Sequence, residues 1–210
     1  MLQNKIAIIT GASRGIGKSI ALTYARNGAS LVLICHKDME SLKLVKEKAE
    51  LLGAKVINLA GDIASSNFCN EIIHQTLEKF NTVDILVNCA GTITRSPVEK
   101  MSNEEWHRVI DVNLHSALYL SRNVLPIMRR KKYGKIINLT SQMAYTPHPS
   151  ASPSYEVSKS GMTALTRHLA LKYAKYNICV NNIAPGSIDT DLPKSMSNEA
   201  RQRLKDAIPM

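Results

Sequence analysis

The stretch that decides the fold is Lys5-Ile6-Ala7-Ile8-Ile9-Thr10-Gly11-Ala12-Ser13-Arg14-Gly15-Ile16-Gly17. Lys5–Thr10 is a short, Ile-rich apolar run, and the amphipathic stretch Ile16–Asn27 follows it. An apolar run without polar alternation reads as a strand buried on both faces, and the 3.6-residue pattern reads as a helix. Three glycines sit between them. Gly11 allows the tight turn out of the strand, Gly15 lets a pyrophosphate approach the backbone, and Gly17 lets the helix pack close to the sheet. The helix N-terminus adds free amide donors and a positive dipole end, with Ser13, Arg14 and Ile16 as further contacts. The spacing is G-x3-G-x-G, a variant of the dinucleotide fingerprint, and its place after the first strand points to a dinucleotide site.

The same alternation continues along the chain. Further strand-like runs are Ser30–Cys35, Lys55–Ala60, Val83–Asn88, Gly134–Thr140 and Asn177–Ala184, with helical patterns such as Met39–Leu52 and Asn67–Phe80 between them. Repeated β–α units imply a parallel sheet covered by helices, and right-handed crossovers make it doubly wound. The expectation is one α/β domain over residues 1–210, with a Rossmann-type sheet and no linker, repeat or low-complexity segment.

The second strand bears on which dinucleotide is bound. An NAD site commonly places an acidic residue near the end of that strand, for the ribose hydroxyls. Here the stretch reads Leu33-Ile34-Cys35-His36-Lys37, and the first carboxylate is Asp38, already in the following loop. Arg14, His36 and Lys37 together can face a 2′-phosphate, so NADP(H) is the expected cofactor.

Composition narrows the class. The chain has 210 residues, is 44% hydrophobic, and carries a net charge of +10. That charge suits an acidic partner. The densest basic cluster is Arg129, Arg130, Lys131, Lys132 and Lys135, where a helix is expected to end before Gly134 and cations are favoured. No nucleic-acid motif accompanies the charge. No apolar run approaches the roughly 20 residues of a membrane span, and the N-terminus runs straight into a strand rather than a signal peptide. Cys35, Cys69, Cys89 and Cys179 show no CxxC or metal-ligand spacing, so no metal is expected. Three of them, Cys35, Cys89 and Cys179, fall in or at the end of strands read as buried, which fits a reducing, cytoplasmic setting.

Late in the chain Tyr155 and Lys159 stand four apart at the start of a predicted helix, on one face. An ammonium beside a phenol favours the phenolate, so the Tyr155 pKa is expected to be depressed toward a useful general-acid range. Ser141 follows the fifth strand and can donate to a carbonyl oxygen that gains negative charge.

With these residues in hand, the chain resembles the short-chain dehydrogenase/reductases over essentially its whole length. Asn88-Cys89-Ala90-Gly91 is similar to the family's N-N-A-G turn after the fourth strand, which implies that Asn88, Ala90 and Gly91 contact the cofactor. Asp62, with Ile63 beside it, matches the acidic position that contacts adenine. Asn113 matches the helix asparagine of the catalytic set, completed by Ser141, Tyr155 and Lys159. Pro185, Gly186, Ile188 and Thr190 resemble the loop that holds the nicotinamide carboxamide. The resemblance implies that Ser141 orients a substrate carbonyl and Tyr155 delivers the proton. It also implies that Lys159 binds the nicotinamide ribose and that Asn113 holds a water linking Lys159 to solvent.

Within the family the chain most resembles 3-oxoacyl-[acyl-carrier-protein] reductases. That implies an acyl-thioester substrate and docking of an acidic carrier protein by Arg129, Arg130, Lys172 and Lys175. Sugars, polyols, steroids and small ketones remain alternative substrates, and a non-catalytic dinucleotide sensor or assembly subunit is the alternative from another class. Three features depart from the pattern. Cys89 replaces an asparagine. The Ser141–Tyr155 gap is fourteen residues and holds Pro147, Pro149 and Pro153. The chain ends near the point where relatives continue into a seventh strand, so that strand is expected to be missing. Residues 190–208 are expected to form a substrate lid, and relatives imply a homo-oligomer, commonly a tetramer.

Overall fold

The computed structural model describes residues 1–148 and 151–188, together with residue 202. Six parallel strands form one sheet: β1 (Ile6–Thr10), β2 (Ser30–Cys35), β3 (Val56–Ala60), β4 (Ile85–Asn88), β5 (Gly134–Leu139) and β6 (Ile178–Ile183). Their order across the sheet is β3-β2-β1-β4-β5-β6. Each lies inside the run expected from the sequence. Val83 and Asp84 stay outside β4, where the Asp84 carboxylate accepts from the Ile6 N–H at 2.8 Å and pairs with the Lys131 ammonium.

The helices are α1 (Gly15–Arg26), α2 (Met39–Leu51), α3 (Ser66–Phe80), α4 (Asn103–Ile110), α5 (Ser116–Lys131) and α6 (Pro153–Tyr173). α1 and α2 bury Ala21, Ala25, Leu42 and Val45 against Ile9, Leu31 and Leu33 on one face of the sheet. α3, α5 and α6 bury Ile72, Leu120, Val124 and Leu169 against Ile8, Leu86, Ile136 and Val180 on the other. Covered on both faces, the central strands carry apolar residues at nearly every position. Local chemistry sets the helix ends. Asp38, Ser65, Ser102 and Ser152 cap α2, α3, α4 and α6 by accepting a backbone N–H with their side chains. Pro153 occupies the first turn of α6, where its missing N–H costs nothing.

α4 and α5 form one helical rod joined by a π-helical turn, Asp111–His115. Such turns insert a residue into the helix and are frequent at functional sites. Asn113 lies in it.

Two expectations change. Cys179 is exposed, because β6 is an edge strand among the described residues, whereas Cys69 on α3 is fully buried. The basic cluster is more than a solvated helix end. The Lys131 ammonium bonds the Asp84 carboxylate and the Thr82 hydroxyl, and Lys5, Lys131 and Lys135 gather around the Tyr133 ring. Thr190 and the expected lid lie outside the described residues.

Candidate active site

The strand order reverses between β1 and β4, and ligands of open parallel sheets sit in the crevice at such a point. Here the turns after β1 and β4 touch. The Thr10 hydroxyl accepts the backbone N–H groups of Cys89 and Ala90, each at 2.9 Å, and so stitches the two turns together. Gly11 turns out of the strand at φ +67°. A Cβ on Gly17 would lie 2.3 Å from the Gly11 carbonyl oxygen, so only glycine lets α1 start this close to the turn.

A cavity of about 610 Å³ runs over this crevice. One end is walled by Gly11, Ser13, Arg14, Gly15, Ile16 and Gly17; the middle by Ala90 and Gly91; the far end by Ser141, Tyr155, Lys159, Pro185, Gly186 and Ile188. His36, Asp62 and Ile63 border the first end. A dinucleotide fits these residues. The cap position of α1, Arg14, makes no side-chain hydrogen bond to the helix, so the first-turn amides are left for an anion beside the glycine turn.

Three predicted residues stand off the wall. Lys37 is exposed but does not line the cavity. Asn88 is buried beneath it and its side chain donates to Asn138 Oδ1 at 2.7 Å, bracing β4 against β5. Asn113 is fully buried. Its Nδ2 donates to the Thr92 carbonyl at 2.9 Å and to Ser158 Oγ at 3.0 Å, while Oδ1 accepts the Thr92 N–H at 2.8 Å. Asn113 thereby pins the segment after Gly91 to α6, and Ser158 passes the contact on by donating to the Tyr155 carbonyl at 2.7 Å. The sequence missed Arg108, which lines the cavity and donates to Asp62 Oδ2 at 2.6 Å. Its partner is 46 residues away, so no local pattern marks it.

The catalytic end is built from three elements. Ser141 follows β5 and accepts the Met143 N–H at 3.2 Å, and the Gln142 N–H donates to the Pro185 carbonyl at 3.0 Å, which ties this turn to the one after β6. The Ser141 hydroxyl stands beside the Tyr155 phenol. Lys159 Nζ donates to the Leu139 carbonyl at 2.7 Å and lies 5.8 Å from the centre of the Tyr155 ring.

The expected depression of the Tyr155 pKa is not what this arrangement gives. Burial raises it, opposed by the neighbouring Ser141 hydroxyl, and the ammonium is held by a carbonyl rather than by the phenol oxygen. Burial pushes the Lys159 ammonium down to about 8, opposed by Cys89. Burial also pushes the Cys89 thiol up to about 11, with Lys159 opposing, so at neutral pH Cys89 stays uncharged and offers the ammonium little. Partial burial works against ionisation of Asp62. Hydrogen bonds from Arg108 and the Ala64 N–H, and the charges of Arg108 and His36, outweigh it and hold the carboxyl below its usual range.

The buried ammonium carries a stability signature. Its folded pKa lies below the unfolded value, so over the window from about 8 to 10.5 the unfolded chain keeps a proton that the folded chain has released. Raising pH through that window stabilises the fold, and below it the penalty is full. Lys159→Met is therefore expected to be more stable than the parent near neutral pH, by about 2 kcal/mol, with the advantage vanishing as pH approaches 10.5. Urea unfolding across this range checks it; equal stability at neutral pH would mean that the ammonium is fully compensated.

A parallel doubly wound sheet with a cavity that runs from the glycine turn to Ser141, Tyr155 and Lys159 defines a Rossmann-type oxidoreductase. The family model for short chain dehydrogenases matches residues 5–201, and the chain belongs to that family, whose members bind a nicotinamide dinucleotide. The chain is similar to a 3-oxoacyl-[acyl-carrier-protein] reductase FabG of Staphylococcus epidermidis, 33% identical over 99% of this chain and 84% of the relative. It is similar at 33% identity to the protein of that name from Thermotoga maritima, over 100% of this chain and 84% of the relative. A solved structure described as a short-chain alcohol dehydrogenase from Sinorhizobium meliloti superposes with a TM-score of 0.93 at 34% identity, covering 99% of this chain and 82% of that one.

Proposed function

We propose that this chain reduces a carbonyl to an alcohol with NADPH, and that its substrate is a 3-oxoacyl thioester on an acyl carrier protein. One observation carries the reaction: Ser141, Tyr155 and Lys159 converge at one end of the cavity whose other end is the glycine turn. The nicotinamide supplies a hydride when bound. Ser141 donates to the carbonyl oxygen as charge grows there, and Tyr155 gives that oxygen its proton. Lys159, released from Leu139 or shared with it, favours the phenolate left behind. Asn113 holds the Thr92 segment and α6 in register, and a water beside it can return the proton from solvent. The backbone after β1 and Gly186 orient the cofactor between these groups.

NADPH is favoured over NADH because Asp38 is engaged elsewhere. Its carboxylate accepts the Ser41 N–H at 3.1 Å as the cap of α2. An adjoining cleft of about 270 Å³ brings Arg14, Lys18 and Lys48 together with Asp38 and Ser41, a basic setting for a 2′-phosphate.

The carrier reading rests on the names of the relatives and on a coherent basic patch. Arg129 and Lys175 both face the Tyr176 ring, with Arg130 and Lys172 nearby in sequence. The patch belongs to the helix ends that precede β5 and β6, opposite the catalytic end of the sheet. Lys172 stands seventeen positions beyond Tyr155 on α6, roughly 25 Å at 1.5 Å per residue. A carrier seated there serves the site of a second copy, which fits a homo-oligomer. The four free thiols suit a cytoplasmic enzyme.

Turnover of NADPH and NADH with an acetoacetyl thioester, its carrier-bound form, simple ketones and sugars tests this reading. NADPH is expected to be used at least about tenfold more efficiently, with the carrier-bound thioester the best substrate and its rate falling as salt rises. Equal use of NADH overturns the cofactor assignment; salt-independent rates overturn the docking patch; a better ketone or sugar overturns the substrate.

A further inference from the structure

We infer that Arg108 is a positioning residue for the adenosine end of the cofactor, acting by holding Asp62 in place. The inference rests on the dinucleotide reading above. Asp62 stands on the turn after β3, and Arg108 stands on α4. The guanidinium donates to Asp62 Oδ2 at 2.6 Å, and the Ala64 N–H donates to Oδ1 at 3.0 Å. Both carboxylate oxygens are thus fixed, and each keeps a second lone pair. Asp62 and Arg108 line the same cavity. An adenine amino group needs an acceptor, and the one offered here has its orientation set before the ligand arrives.

The pair is poorly suited to be a mere staple of the fold. Both side chains are 43% exposed, and exposed ion pairs contribute little to stability. Its value lies in orientation. Arg108 also sits on the helical rod that carries Asn113, whose amide grips Thr92 at the other end of the cavity. One rod therefore fixes the adenosine acceptor at Arg108 and the segment beside the reacting end at Asn113. Arg, rather than Lys, suits the first task, since its planar head holds a carboxylate in one geometry.

The test is calorimetric titration with ADP-ribose, which carries the adenosine and pyrophosphate but no nicotinamide. Arg108→Gln and Asp62→Asn are each expected to weaken ADP-ribose by about tenfold, and the double variant is expected to be no weaker than Asp62→Asn alone. Arg108→Lys is expected to recover part of the loss. KM for NADPH rises with the same variants while kcat stays within about twofold, and thermal melting without ligand hardly moves. ADP-ribose binding within about twofold of the parent in Arg108→Gln, or losses that multiply in the double variant, would overturn the inference. A kcat that falls in step with the rise in KM would overturn it too, by marking a general structural defect. Failure of the parent itself to bind both ADP-ribose and its 2′-phosphorylated form defeats the dinucleotide reading, and this inference with it.

Discussion

Tyr155→Phe is expected to slow carbonyl reduction by about 10³-fold while leaving NADPH binding unchanged. The substitution removes one oxygen and little else. The ring keeps its place on the first turn of α6, whose cap at Ser152 and whose tie from Ser158 to the Tyr155 carbonyl do not involve the phenol. What is lost is the proton donor beside the Ser141 hydroxyl. A positioned general acid contributes roughly 10² to 10⁴ in rate. Water could replace it only in part, because the phenol is partly buried at the end of the cavity. Lys159 cannot replace it from its present place, since Nζ is turned to the Leu139 carbonyl. The glycine turn and Arg14 lie at the opposite end of the cavity and are unaffected. Steady-state kinetics with the best carbonyl, together with fluorescence titration of NADPH, measure both quantities. Turnover within about tenfold of the parent would remove Tyr155 from its role.

The second large effect is structural. Gly17→Val is expected to weaken dinucleotide binding at least about a hundredfold and to destabilise the chain by about 3 kcal/mol. A Cβ at this position meets the Gly11 carbonyl oxygen at 2.3 Å, the Gly11 carbonyl carbon at 2.8 Å and Ala12 Cα at 3.2 Å. All three are backbone atoms, so no side chain can swing aside. The turn cannot retreat freely either, because Gly11 already packs against Ala90 and the Thr10 hydroxyl holds the Cys89 and Ala90 amides. α1 would have to lift from the sheet, and its first-turn amides would leave the phosphate position. Urea unfolding and ADP-ribose titration report the two losses separately. Parental affinity in this variant would mean that the turn is softer than its contacts indicate.

How much of this was legible in the sequence depends on the range of the interaction. The six strands and their parallel arrangement followed from local cues, because a strand covered on both faces is apolar at nearly every position. β1 shows this in Ile6-Ala7-Ile8-Ile9-Thr10, buried at every position. The glycine turn was legible for the same reason, since backbone geometry there leaves no other residue. Ser141, Tyr155 and Lys159 were found by type and spacing, and the fold brings them to one wall. What escaped was set by partners distant in the chain. Arg108 meets Asp62 across 46 residues, and nothing beside it in the sequence announces the contact. The Asn88 side chain turns to Asn138 on the neighbouring strand, fifty residues away, and no local pattern marks that partner. The Tyr155 pKa was argued from one neighbour, Lys159. Burial, which a sequence does not show, sets the opposite direction. The π-helical turn around Asn113 is likewise invisible to a helical periodicity.

The most direct measurement is the stoichiometry of the reaction itself: purified protein, NADPH and a panel of ketones and 3-oxoacyl thioesters, with cofactor oxidation and alcohol formation followed together. One alcohol formed for each NADPH oxidised, with the reaction lost in Tyr155→Phe, is the expected result. Tight NADPH binding with no oxidation against any carbonyl would contradict it and leave a dinucleotide-binding protein without reductase chemistry.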